Sequence, residues 1–267
     1  MAESAPASGP QSVDGRRFGG VARLYGEAAL ARLADSHACV IGLGGVGSWA
    51  AEALARSGIG RLTLIDLDHI AESNINRQIH ATDATLGAAK VAAMQERIAG
   101  IAPRCAVQAI EAFISADNVS DLVPDDAWLI DAIDQPRAKA ALIALAAGRH
   151  QPLIVSGAAG ARVDPLALRR VDVALSRGDA LLASVRSRLR RDYGFPRQAG
   201  EPFGVIAVSS AESPVTGAGG SHAEAGAPLA CSGYGSSVAT TATMGLAAAA
   251  WIIDGIARPT SSRSRRR

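Results

Sequence analysis

The residues with chemical capacity begin at Gly42-Leu43-Gly44-Gly45-Val46-Gly47, which lies between the apolar run Cys39-Val40-Ile41 and an Ala-rich stretch over 48–56. Glycines in a Gly-x-Gly-x-x-Gly spacing let a chain turn sharply and bring backbone N–H groups to a phosphate with no Cβ in between. A helix starting there adds its unpaired N–H groups and the positive end of its dipole. Asp66 follows after roughly 20 residues, the spacing at which a carboxylate accepts hydrogen bonds from a ribose diol, and Asp68 accompanies it. The plainer reading of Asp66 is a strand-end residue capping a turn. At this point a dinucleotide dehydrogenase or a non-catalytic nucleotide-binding module fits as well as any other enzyme.

Asn74, Arg77 and Lys90 then add donors and two fixed positive charges. A pyrophosphate already neutralised by a helix end gains little from them. A triphosphate attacked at its α-phosphorus gains much, because charge develops there and on the leaving pyrophosphate. Lys90 and Lys139 are the chain's only lysines, every other basic residue being Arg. For Lys90 this favours a site that needs a compact ammonium, and for Lys139 it decides nothing. Asp134 is a lone carboxylate suited to hold Mg²⁺, or, read structurally, the residue ahead of a helix opened by Pro136. In this order, the set predicts ATP, Mg²⁺ and attack at the α-phosphate.

The elements that must position these residues read as alternating strands and helices. Strands are predicted at 38–42, 62–65, 105–111, 128–133 and 152–156. Helices are predicted at 27–33, 46–57, 86–100 and 136–148, with a helical turn near 117–122. This alternation specifies an α/β, Rossmann-like, doubly wound and mainly parallel sheet with helices on both faces. Ligands in such sheets sit at the C-terminal strand ends, where Gly47, Asp66 and Asp134 all fall. Beyond the fifth strand the chain is less regular. A basic helix is predicted at about 179–191, a strand at 203–209, a Gly/Ser-rich loop at 210–228 and a closing helix at 236–256. We expect a disordered N-terminus over 1–15, a single domain over 16–256 and a basic disordered tail over 257–267. Within the domain, about 36–160 is the nucleotide-binding part and about 161–256 an extension on the substrate side.

With 48% apolar and 19% charged residues, the chain can bury a large core, and a net charge of +2 gives no whole-protein field that demands nucleic acid. Cys39, Cys105 and Cys231 form no Cys-x-x-Cys pair. This argues against a disulfide framework and a structural zinc, and fits a reducing, cytoplasmic compartment. The apolar run at 238–253 falls short of the roughly 20 residues of a membrane span and reads as a buried helix, peripheral membrane association being the lesser reading.

Gly42-x-Gly44-Gly45-x-Gly47, Asp66-x-Asp68, Asn74-x-x-Arg77-Gln78, Lys90 and Asp134 together resemble the ThiF/MoeB-type adenylyltransferases, relatives of the ubiquitin-activating enzymes, over about 16–160. Several longer segments resemble the branch of that family that dehydrates threonylcarbamoyladenosine in tRNA. They are Arg17-Phe18-Gly19-Gly20, Arg23-Leu24-Tyr25-Gly26, Gly45 through Arg56, Asn76-Arg77-Gln78-Ile79-His80-Ala81 and Ile130 through Asp134. A looser match runs from Cys231-Ser232-Gly233-Tyr234-Gly235 into the closing helix.

The resemblance implies an ATP-dependent ring closure on the adenosine at tRNA position 37. The threonylcarbamoyl carboxylate is adenylated, and a nitrogen of the same group then displaces AMP. It also implies Gly45 on the phosphate loop, Asp66 on the ribose, Asn74, Arg77 and Lys90 on the phosphates, and Asp134 on Mg²⁺ and in catalysis. A homodimer is implied, in which an N-terminal Arg (Arg17, or Arg23 as second choice) reaches the partner's ATP site. The alternative substrate in this family is the C-terminus of a ubiquitin-like or sulfur-carrier protein. The missing Cys-x-x-Cys pairs argue against that alternative, and Cys231 is the one candidate for sulfur transfer with a cysteine desulfurase-type partner. His80 reads as a buried hydrogen-bonded residue, with catalysis the lesser alternative. Arg186, Arg188, Arg190 and Arg191 would suit a tRNA backbone, or are simply a solvated helix face.

Overall fold

The computed structural model describes residues 13–215 and 235–258. The chain enters through α1 (Val13–Tyr25) and α2 (Glu27–Asp35). It then alternates through β1 (His37–Ile41), α3 (Gly47–Arg56), β2 (Arg61–Ile65), α4 (Lys90–Ile101), β3 (Ala106–Ile110), α5 (Val119–Leu122), β4 (Trp128–Asp131), α6 (Pro136–Gly148) and β5 (Leu153–Ser156). It ends through β6 (Leu168–Asp172), α7 (Ala180–Asp192), β7 (Ile206–Ser210) and α8 (Val238–Ala257). The strands form one sheet in the order β3-β2-β1-β4-β5-β7-β6. Every pairing is parallel except that of β6 with β7.

All five residues of β1 and all four of β5 are buried. A parallel strand covered on both faces must be apolar on both, hence the unbroken runs in the sequence. Val40, Leu62, Leu64, Ile130 and Ile154 share one core with α3, α4 and α8. Cys39, Ile41, Leu129 and Val155 share the other with α6 and α7. Strand order reverses at β1, which is flanked by β2 and β4, so a crevice opens past its C-terminal end.

Helix α8 is long and apolar enough to cross a membrane by composition alone. Here Met244, Ala248, Ile252 and Ile256 are buried in the first core. Gly245 permits the packing on α3, since a Cβ there would lie 2.2 Å from the Val46 carbonyl oxygen and 3.1 Å from Trp49 Cβ.

Three expectations need correction. Val13 to Gly15 belong to α1 rather than to a disordered N-terminus; Phe18 and Ala22 bury one face and hold the helix. Helix α4 starts at Lys90, not at 86, because Gly87 has φ +81° and the 3₁₀ turn Asp83–Thr85 precedes it. Strand β6 was not foreseen: it is an antiparallel edge strand with Arg169 and Arg170 exposed, so it lacks the apolar run of a buried strand. Cys231, residues 216–228 of the 210–228 loop and most of the basic tail lie outside the described residues.

Candidate active site

The C-terminal ends of β1, β2, β4 and β5 open on one cavity of about 570 Å³. That volume is typical of small-molecule sites. Gly42, Gly44, Gly45, Asp66, Asp68, Asn74, Arg77, Lys90 and Asp134 all line it. The spread of sequence from 42 to 134 is thus gathered at the strand ends, as the alternation predicts.

The glycines divide the work of the turn. Gly42 has φ +87°, and a Cβ there would come within 2.9 Å of the Ala132 carbonyl oxygen. Gly47 does not line the cavity. Its hydrogen faces Gly42, whose carbonyl oxygen would be 1.8 Å from an added Cβ, so Gly47 is required by the turn's own packing rather than by a ligand. Gly44 faces open space. Gly45 is covered by the Arg77 side chain, with Cγ at 3.1 Å from the built Cβ, and by Thr241 of α8, with Cβ at 3.2 Å. No side chain caps the start of α3; the Ser48 amide donates to the Gly44 carbonyl at 3.1 Å, and the Gly47 amide is left for another acceptor.

Asp66 ties β2 to this turn. Its Oδ2 accepts from the Leu43 amide at 2.6 Å and its Oδ1 from the Asp68 amide at 2.8 Å. Burial pushes the Asp66 carboxyl above the usual aspartate range, while Lys90 and the two amides oppose that rise. Lys90 is itself buried; its Nζ donates to Asp68 Oδ2 at 2.6 Å and lies 3.9 Å from Asp66 Oδ1. Arg77 Nη1 donates to the Ser73 carbonyl at 2.8 Å and to Asn76 Oδ1 at 2.9 Å, and its own carbonyl accepts from Trp49 Nε1 at 2.9 Å. Asn74 Oδ1 accepts from the Ala71 amide at 3.1 Å and shapes the loop that carries Arg77.

Asp134 is exposed on the cavity wall. Beneath it lies an ion pair that spacing alone did not reveal. Lys139 Nζ donates to Asp131 Oδ1 at 2.8 Å, and both side chains are fully buried. Asp131 Oδ1 also accepts from the Ile133 amide at 3.0 Å, so the pair fixes the backbone just ahead of Asp134. Burial raises the Asp131 carboxyl and Lys139 pulls it back down.

Several lining residues were missed. Leu67, Phe113 and Ile114 supply an apolar wall; their position just past β2 and β3 was the available signal. Thr241 and the segment from Ser156 to Arg162 also line the cavity, and only tertiary packing brings them there.

Other expected residues lie elsewhere. Arg17 Nη1 donates to the Ile101 carbonyl at 2.8 Å, at the end of α4 in its own chain, away from the cavity lining. The His80 ring makes no hydrogen bond among the described residues: it is buried, and neither ring nitrogen has a partner. Burial, then Lys90 and Arg97, hold its pKa down to about 4, so the ring is neutral. On α7, Arg186 Nη1 donates to the carbonyls of Val173 and Ser176, and Arg190 Nε donates to the Pro196 carbonyl with its guanidinium over Phe203. Arg188 is half-buried, and Arg191 is exposed and paired with Asp192. The helix therefore spends two of its four arginines on its own fold.

The ThiF family model matches residues 19–261. The chain is 45% identical over 242 residues to the tRNA threonylcarbamoyladenosine dehydratase of Escherichia coli K12, covering 87% of this chain and 90% of that protein. It is 44% identical over 241 residues to the tRNA threonylcarbamoyladenosine dehydratase of Haemophilus influenzae, covering 90% and 92%. Among solved structures it superposes on the E. coli dehydratase, TcdA, in complex with ATP, with a TM-score of 0.84 at 40% identity, covering 95% of this chain and 99% of that one.

Proposed function

Since the chain belongs to the ThiF family, we propose that it is an ATP-dependent adenylating enzyme acting on threonylcarbamoyladenosine at position 37 of tRNA. Attack of the threonylcarbamoyl carboxylate on the α-phosphorus of ATP forms an acyl-adenylate and releases pyrophosphate. A nitrogen of the same group then takes the acyl carbon, the carbon–oxygen bond to AMP breaks, and the nitrogen's proton is lost. The product is a ring, and the modified base has lost one water. The single observation that supports this reading is the gathering of an uncapped helix start, Arg77, Lys90 and the paired carboxylates Asp66 and Asp68 on one cavity beside Asp134. Relatives at 45% and 44% identity, covered over 90% and 92% of their lengths, are named tRNA threonylcarbamoyladenosine dehydratase.

In this reading the glycine turn and α3 receive the phosphates. Lys90 and Arg77 oppose charge that builds on the α-phosphate and the leaving group. Asp66 accepts from the ribose, and Leu67, Phe113 and Ile114 enclose the base. Asp134 would hold Mg²⁺ that arrives with the nucleotide. No group of three or more His, Cys, Asp or Glu side chains gathers among the described residues. A lone carboxylate suits a cation held chiefly by the nucleotide, and Mg²⁺ there would supply charge neutralisation on the phosphates. The cytoplasmic homodimer, with Arg17 completing the partner's site, belongs to the same reading. It requires Arg17 to leave the Ile101 carbonyl. The sulfur-transfer partner rests on Cys231, outside the described residues.

The test is incubation with ATP, Mg²⁺ and tRNA that carries the threonylcarbamoyl group. AMP and pyrophosphate should appear one-for-one with loss of water from the modified nucleoside by mass spectrometry. ADP as product, or equal turnover with unmodified tRNA, contradicts the assignment.

A further inference from the structure

The cavity wall that follows β5 has no part in the nucleotide reading. From Ser156 to Ala161 it is made of small uncharged residues, and it ends on Arg162. Arg162 is 3% exposed. Its Nη2 donates to the Gly178 carbonyl at 2.7 Å, but its Nε and Nη1 are buried with no hydrogen-bond partner. A guanidinium does not shed its proton. Burying it with open donors costs free energy unless something else supplies the acceptors.

The backbone around Arg162 is fixed. Ala161 sits in the left-handed region at φ 58°, uncommon for a residue with a Cβ. Its amide donates to the Gly235 carbonyl at 3.0 Å and its carbonyl accepts from the Val215 amide at 2.8 Å. On the other side, the amides of Val163 and Asp164 both donate to Glu212 Oε2, at 3.0 and 3.2 Å. The Arg162 carbonyl accepts from Thr240 Oγ1 at 3.2 Å. The chain thus holds a strained joint in place and keeps an under-paired cation at the cavity.

We propose that Arg162 receives the carboxylate of the second reactant and orients it for attack on the α-phosphorus; this rests on the function proposed above. The phosphates already have Arg77, Lys90 and the start of α3, whereas the incoming carboxylate has no other cation on the wall from 156 to 162. Nη1 keeps both of its hydrogens and Nε its one, so the guanidinium still has charge-assisted donors to offer a carboxylate. Arg162 is therefore a specificity residue for the acid, distinct from the groups that hold ATP.

The probes are an anticodon stem-loop RNA carrying threonylcarbamoyladenosine and the same RNA with its carboxylate capped as a primary amide. Equilibrium binding is measured with α,β-methylene ATP present. Wild type should bind the acid roughly 10- to 100-fold more tightly than the amide, the range for a charge-assisted pair. In Arg162→Gln the ratio should fall to about one while affinity for the ATP analogue is retained, which also shows that the variant is folded. Arg162→Lys, which keeps the charge and loses the fork, should lie between. Indifference of the wild type to the cap overturns the proposal without any variant, and so does an undiminished ratio in either variant that still binds the analogue. If wild type instead fails to release AMP and pyrophosphate with the acid RNA, the function proposed above is what fails.

Discussion

Removing Lys139 should damage the protein from beneath its site. The Lys139 Nζ–Asp131 Oδ1 distance is 2.8 Å and neither side chain is exposed. At an effective dielectric of ~20, two unit charges at that distance attract by about 6 kcal/mol, most of it offset by the desolvation of both. Lys139→Met leaves the Asp131 carboxylate buried without its counter-ion and should cost about 3–5 kcal/mol, against a total of roughly 5–15 for an ordinary domain. The effect should depend on pH. Burial already lifts the Asp131 carboxyl above 3.8, and loss of Lys139 lifts it further. A carboxyl with a raised folded pKa holds its proton more tightly in the native chain. Its ionisation therefore costs stability as pH rises through the folded value, and the cost is absent below the ordinary value. The deficit of Lys139→Met should be greatest near about pH 8 and shrink toward about pH 4. Urea unfolding across that range measures it, with Asp131→Asn/Lys139→Met expected to recover at least half of the loss, since Asn keeps an acceptor for the Ile133 amide. A loss under about 1 kcal/mol in the single variant, or a double variant no better than the single, refutes the account. Because the pair fixes the backbone ahead of Asp134, kcat at a temperature where the variant is folded should fall about tenfold, consistent with a displaced reacting group.

Gly44→Ala and Gly47→Ala should separate ligand space from packing: the first leaves the melting midpoint nearly unchanged and weakens ATP binding, whereas the second, with a Cβ 1.8 Å from the Gly42 oxygen, lowers both; calorimetry with nucleotide titration reads each. Arg186→Ala should lower the melting midpoint through the lost bonds to Val173 and Ser176. Arg191→Ala should leave the midpoint unchanged and, if that face meets tRNA, reduce the salt slope of binding by about one. Burial pushes the Cys39 thiol up, and the Cys105 thiol up to about 11, so neither should react with a disulfide reagent at neutral pH until the chain unfolds.

The sheet was legible wherever burial on two faces leaves an unbroken apolar run, as in β1. It was illegible in β6, where two exposed arginines on an edge strand erase that pattern. Helix α1 was hidden because its glycines penalise a helix locally, and only packing of Phe18 and Ala22 repays the penalty. At the site, the residues from Gly42 to Asp134 could be read because each sits at a strand end that the alternation predicts. Thr241 and Arg162 could not, because a contact between the glycine turn and a helix nearly two hundred residues later leaves no periodic trace. Lys139 was one of two conspicuous lysines, but nothing in its spacing from Asp131 says that a strand and the following helix face each other there.

The seat of α8 on the glycine turn bears on synthesis. A nascent chain that has emerged only through β5 possesses every strand end that bears a phosphate-binding residue, yet Gly45 lacks its Thr241 neighbour and α3 lacks the helix that Gly245 lets settle on it. Nucleotide binding should therefore be acquired late, after α8 has left the ribosome, and a half-made polypeptide would neither sequester ATP nor engage tRNA prematurely.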